Sequence, residues 1–204
     1  MDPKRREVME ALVKVLQKNN GVKIPKASVK DEIEKMAQSI FNNQNQHAPK
    51  QRTYDKVFQS CEYIVIEHAL AWALKGKRNE LEFNHTDPET YYYDVEADSK
   101  LMGRALKFEC KRWKRQGGDF FSYPTSGLKT MLKHKDKLDY VVAARVTTEN
   151  DDYVVNFKRI MDAPSFHFFV TKSQYNDWES YYNHHKDENY SAQIEPTVKF
   201  NDDF

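Results

Sequence analysis

The residues best able to do chemistry lie in the stretch Leu106-Lys107-Phe108-Glu109-Cys110-Lys111. In an extended strand, residues two apart share a face. Glu109 and Lys111 therefore point one way, while Leu106, Phe108 and Cys110 point into a core. Upstream, Asp94 follows a run of three tyrosines, and Asp98-Ser99-Lys100 with Gly103 reads as a turn. A hairpin folded at that turn can set Asp94 beside Glu109. Two carboxylates and an ammonium on a rigid strand suit phosphodiester hydrolysis. Mg²⁺ prefers hard oxygen ligands, often one or two carboxylates completed by water and substrate phosphate. Asp94 and Glu109 can supply the carboxylates, and the backbone carbonyl of Cys110 between them is a third oxygen. Lys111 is expected to position the attacking hydroxide and to stabilise the charge that develops on the phosphoryl group.

An acid two residues before a lysine is a common pattern. It recurs in Asp2-Pro3-Lys4 and Asp98-Ser99-Lys100. Only Glu109 and Lys111 combine it with an apolar strand and an upstream acid. Glu96 and Asp98 share the strand parity of Asp94, but Asp94 adjoins the aromatic run and should lie deepest. The alternative reading is a structural hairpin in which Glu109 pairs with a lysine across the strands.

Taken together, Tyr93-Asp94, the glycine-containing turn and the strand bearing Glu109-Cys110-Lys111 resemble the PD-(D/E)XK nuclease superfamily. The resemblance covers about residues 54–171. It implies a restriction-endonuclease-like core, with one helix before the hairpin and another after the catalytic strand. It also implies an acid on the first helix that assists metal binding, for which Glu67 is the choice and Glu62 the substitute. Asp94, Glu109 and Lys111 become the catalytic set. The proline that names the motif is missing, and Tyr93 stands in its place.

The elements that must position these residues follow from periodicity. Residues 4–19 read as a helix with Val8, Leu12, Val15 and Leu16 on one stripe. Ser28 with Asp31 suggests a capping box at the start of a second helix. The polar stretch from Asn42 to Gln51 reads as a linker. Tyr54 to Leu74 reads as one long helix, apolar nearly all round and so buried. Strands are expected at 81–83, 91–97, 104–113, 139–147, 153–160 and 166–171. A basic helix is expected at 125–137 and a short one at 174–185. The sum is an α/β fold: a mixed central β-sheet flanked by helices, with an N-terminal helical extension. Residues 1–50 are assigned to that extension and its linker, and residues 51–204 to a nuclease domain.

The net charge of +1 conceals an asymmetry. Residues 99–137 carry eleven Lys or Arg against three acids, whereas residues 149–204 carry eleven acids against five bases. A concentrated basic segment suits a polyanionic partner, although a solvated helix face would look the same. Arg112, Lys114 and Arg115 directly follow the catalytic strand, and Lys129, Lys133 and Lys135 lie on or at the end of the basic helix. These are the expected phosphate contacts. The two cysteines, Cys61 and Cys110, form no disulfide framework. No segment is apolar enough to suggest a membrane span. The chain is therefore expected in a reducing cytoplasm, bacterial or phage-infected.

The expected function is a Mg²⁺-dependent endonuclease acting on DNA, with Mn²⁺ able to substitute and a homodimer compatible with the reading. A nucleic-acid-binding protein without catalysis, and an RNA nuclease using the same site, are the alternatives. His184-His185 has no spaced partner to complete a tetrahedral metal site, and Gly117-Gly118 lacks the lysine of a phosphate-binding loop.

Overall fold

A computed structural model describes residues 2–47, 53–75, 84–86, 93–113, 121–124, 137–164, 180, 183, 191–194 and 196–200 of the chain. Helix α1 (Pro3–Lys18) buries Val8, Leu12, Val15 and Leu16, the stripe expected from 3.6-residue periodicity. Asn19 ends it, and Gly21 then takes a φ of +81, a left-handed conformation that suits glycine. The connection that follows is strand β1 (Val22–Pro25). The sequence reading had no strand here because Pro25 marks a break. Proline is tolerated at the end of an edge strand, and β1 lies at the edge, paired with β7 (Asp152–Asp162).

Helix α2 (Lys26–His47) begins three residues earlier than a cap at Ser28 would allow. Ser28 lies inside it and donates back to the Pro25 carbonyl at 2.7 Å, so it does not cap the helix. The same helix runs through most of the polar stretch read as a linker. Asparagine and glutamine lower helix propensity by only a fraction of a kcal/mol each, about 0.7 at most, so polarity alone does not end a helix.

The expected 54–74 helix is two helices, α3 (Tyr54–Ser60) and α4 (Tyr63–Leu74). Between them the backbone tightens into bonds three residues back, including Cys61 N–H to Phe58 O at 3.0 Å and Ile64 N–H to Cys61 O at 3.1 Å. Arg112 braces the break: it donates to the Gln59 carbonyl at 3.2 Å and pairs with Glu62 at 3.0 Å. Helix α4 is buried on most sides and lies across the sheet, which explains its nearly uniform apolarity.

The main sheet has the order β1-β7-β6-β4-β3-β2, where β2 is Asn84–Thr86, β3 Val95–Ser99, β4 Arg104–Arg112 and β6 Tyr140–Glu149. Strand β9 (Val198–Lys199) also pairs with β7, at the far end of the edge that β1 occupies. β4 and β6 are parallel and all other pairs are antiparallel, so the sheet is mixed. Two further strands, β5 (Phe121–Pro124) and β8 (Ser191–Ile194), pair apart from it. The strands expected at 104–113, 139–147 and 153–160 are present with small shifts at their ends. Those expected at 81–83 and 166–171, the helix at 125–137 except Lys137, and nearly all of 174–185 lie outside the described residues.

The apolar core is continuous. Val8, Leu12 and Leu16 of α1 join Ile64, Leu70 and Leu74 of α4 and the inward residues of the strands, Phe108, Val142, Ala144, Phe157 and Ile160. The sheet therefore rests on helices contributed from both ends of the described N-terminal half.

Candidate active site

Strand β4 alternates in the way its sequence predicts. Leu106, Phe108 and Cys110 are buried against the core, while Lys107, Glu109 and Lys111 are half-buried on the opposite face. Glu109 stands opposite Val141 of parallel β6, and Lys111 opposite Ala143. This central placement holds the strand rigid from both sides. Lys111 Nζ donates to Glu109 Oε1, and their side chains keep 36% and 18% of their exposure, so the pair remains open to solvent.

Asp94 sits in a bend immediately before β3. Its N–H donates to Phe108 O at 2.7 Å, and its Oδ2 accepts the Cys110 N–H at 2.6 Å. The carboxylate thus lies across the strand that carries Glu109 and Lys111. The N–H and C=O of a strand residue face the same neighbour, so the Cys110 carbonyl also faces the side where β3 ends. From α4, Glu67 reaches the same place and hydrogen-bonds Asp94. The structure therefore brings Asp94, Glu109, Lys111, Glu67 and the Cys110 backbone together at one end of the β3–β4 pair.

The electrostatics follow from the crowding. Burial raises the pKa of Asp94, and the Glu109 charge raises it further against the opposing pull of the Cys110 amide and Lys111. Burial, the Asp94 charge and the hydrogen bond between the two carboxyl groups raise Glu67 as well, so the pair retains a proton above the ordinary carboxylate range. For Lys111, burial acts to lower the pKa, but the charge and hydrogen bond of Glu109 outweigh it, so the ammonium is retained above the ordinary lysine range. Burial pushes the Cys110 thiol well up, which makes its sulfur an inert core group.

Among the described residues, no three His, Cys, Asp or Glu side chains converge on a ready-made metal position. The donor chemistry nevertheless fits a hard divalent cation. Two carboxylates and the Cys110 carbonyl are the oxygen set such an ion takes, and Mg²⁺ commonly uses one or two carboxylates and retains water.

The rival acids are occupied elsewhere. Glu96 accepts the Tyr93 hydroxyl at 2.6 Å, Asp98 is exposed toward the turn, and Glu62 pairs with Arg112 at 3.0 Å. Arg112 accordingly braces the α3–α4 corner through that ion pair. Lys114, Arg115, Lys129, Lys133 and Lys135 lie outside the described residues.

Sequence reasoning missed Tyr63, which lies one helical turn before Glu67. Burial and then the charges of Glu67 and Asp94 raise its pKa, so it stays a neutral hydroxyl at the rim of the carboxylates. The i, i+4 spacing to Glu67 was the available signal. Also missed was a cluster at the start of β6. Asp139, 3% exposed, takes Arg104 at 2.7 and 2.8 Å, Arg5 at 2.9 Å and the Lys107 N–H at 3.0 Å. It anchors α1 and β4 to β6, about two residues along β4 from Glu109.

Paired carboxylates beside a lysine are equipped to activate water and to stabilise a phosphoryl transition state, the chemical requirements of a nuclease. Residues 10–183 match the family model described as bacteriophage T4 endonuclease IV. The chain belongs to that endonuclease family. The match spans α4, β3 and β4, and so includes every residue of the cluster. No curated protein and no solved structure matches the chain. None of the described helices is long and apolar enough to cross a membrane.

Proposed function

We propose that the protein is a metal-dependent endonuclease that hydrolyses phosphodiester bonds in DNA, built on a PD-(D/E)XK-type site. The observation that carries the reading is the placement of Asp94 across β4, bonded to the Cys110 amide between Glu109 and Lys111. The family supplies the endonuclease activity. Asp94, Glu109 and the Cys110 carbonyl would hold Mg²⁺ or Mn²⁺, with Glu67 assisting. When bound, the ion would acidify a water and neutralise charge on the phosphate.

The remaining work falls to the chain itself. Glu109, which bonds Lys111, would be one of the residues holding the ion. Lys111, still charged, then orients the water and offers its proton-rich head to the developing phosphoryl charge. Glu67, whose pKa is raised by burial and the Asp94 charge, would hold a proton beside Asp94 and assist the ion only in its carboxylate form. Tyr63 adds a neutral hydroxyl at the rim. Arg112, Lys114, Arg115, Lys129, Lys133 and Lys135 are proposed to serve the nucleic acid backbone, Arg112 only if its pairing with Glu62 yields. The setting is the cytoplasm of a bacterium or phage-infected cell.

The test is cleavage of plasmid DNA, single-stranded DNA and RNA side by side, with Mg²⁺, with Mn²⁺ and with a chelator. Metal-restored cleavage of DNA is expected. Undiminished cleavage in chelator would defeat the metal reading, and cleavage of RNA alone would defeat the DNA reading.

A further inference from the structure

Asp94 belongs to no strand, yet its carboxylate must be held in one position if it is to act with Glu109. The Cys110 amide holds the carboxylate directly, and the residue before Asp94 holds the backbone that presents it. Tyr93 is 6% exposed, its hydroxyl donates to Glu96 Oε2 at 2.6 Å, and Lys107 Nζ lies 4.9 Å from its ring centroid. Glu96 and Lys107 are themselves directly opposed across β3 and β4. Residues three apart in an extended strand face opposite sides. A side chain at 93 can reach the one at 96 only if the backbone bends between them, and the bend is at Asp94. The Tyr93–Glu96 bond therefore closes a loop around Asp94. Lys107, two residues before Glu109 on the same face, fastens that loop to the catalytic strand.

We propose that Tyr93, Glu96 and Lys107 form a positioning clamp that fixes the bend at Asp94 and so aims its carboxylate at the cation site. This inference rests on the metal-site reading above. The clamp touches neither ion nor phosphate. It acts through backbone geometry, and its three members should behave as one unit.

The experiment measures Mn²⁺ binding to the full chain without DNA, by electron paramagnetic resonance, together with kcat and KM for DNA cleavage. Tyr93→Phe and Glu96→Ala are each expected to weaken Mn²⁺ binding and lower kcat by about tenfold, the lower end of the loss seen when groups supporting a metal ligand are removed. KM should stay within about twofold, because none of the three is among the proposed phosphate contacts. The double variant should lose no more than either single one. Glu96→Gln, which keeps an acceptor for the hydroxyl, should recover most of the loss. Ile160→Val, a buried core substitution outside the clamp, should leave Mn²⁺ affinity unchanged. Wild-type Mn²⁺ affinity and kcat in Tyr93→Phe would overturn the clamp, as would an equal loss in Ile160→Val. Should the wild-type chain bind no Mn²⁺ and cleave in chelator, the metal reading fails instead. The clamp is then judged on kcat alone, where Tyr93→Phe and Glu96→Ala must still fall together.

Discussion

The amide of Cys110 donates to Oδ2 of Asp94 at 2.6 Å across 16 positions of sequence. The bond ties the bend before β3 to the middle of the strand bearing Glu109 and Lys111. It also gives Asp94 two separable duties, one in backbone satisfaction and one in charge.

Asp94→Asn keeps an acceptor for the Cys110 N–H and removes the charge that Glu109 repels. It should match or exceed the wild type in urea denaturation while losing cleavage. Asp94→Ala leaves that amide without its acceptor, which costs about 1–3 kcal/mol. Equal stability of the two variants would show that the hydrogen bond contributes little.

Glu109→Gln should reduce turnover by on the order of 100-fold or more, with folding and DNA binding retained. The amide is isosteric, and the burial of β4 rests on Leu106, Phe108 and Cys110. Losing an acid near phosphate should tighten DNA binding if it changes it at all. Lys111→Met should also lose turnover but keep Mn²⁺ binding, because its proposed role is toward water and phosphate and not the ion. Full magnesium-dependent rates in purified Glu109→Gln protein would remove Glu109 from the mechanism.

Asp139 makes a prediction about pH. Burial opposes its charge, but the hydrogen bonds from Arg104 and Arg5 outweigh burial and hold its pKa below the ordinary carboxylate range. A depressed folded-state pKa means stability that is fully present above the unfolded value, about 3.9, and lost as pH falls through the folded value. Asp139→Asn should be less stable than the wild type at neutral pH, by about 3 kcal/mol for breaking a buried ion pair. The difference in unfolding free energy should shrink only below about pH 4. A difference that shrinks between pH 5 and 7 would assign the effect to another group.

Neutralising Lys129 and Lys133 together should lessen the salt dependence of DNA binding. Each lost phosphate contact lowers the slope of log K against log salt by about 0.9 on duplex DNA and about 0.7 on a single strand. A slope equal to that of the wild type would place the basic segment away from the nucleic acid.

The sequence by itself determined the alternation of β4. A period of two is enough to put Glu109 and Lys111 on one face and Leu106, Phe108 and Cys110 on the other, because strand geometry fixes alternation whatever the partners. It likewise determined the buried stripe of α1 and the apolar strands β6 and β7, whose patterns are local. It did not determine where α4 begins. The break at Cys61–Glu62 is braced by Arg112, which is close only after β4 has packed beneath it. Parity alone could not choose among Asp94, Glu96 and Asp98, and the aromatic run was the local signal that favoured Asp94. That choice is made by the Cys110 amide, which takes Asp94, and by Tyr93, which takes Glu96. β1 and the Arg5–Asp139–Arg104 cluster were illegible for the same reason: an edge strand and a buried ion network are defined by partners more than 100 residues distant for β1 and Arg5, and 35 for Arg104. Local pattern specifies a face, whereas only packing specifies which groups meet on it.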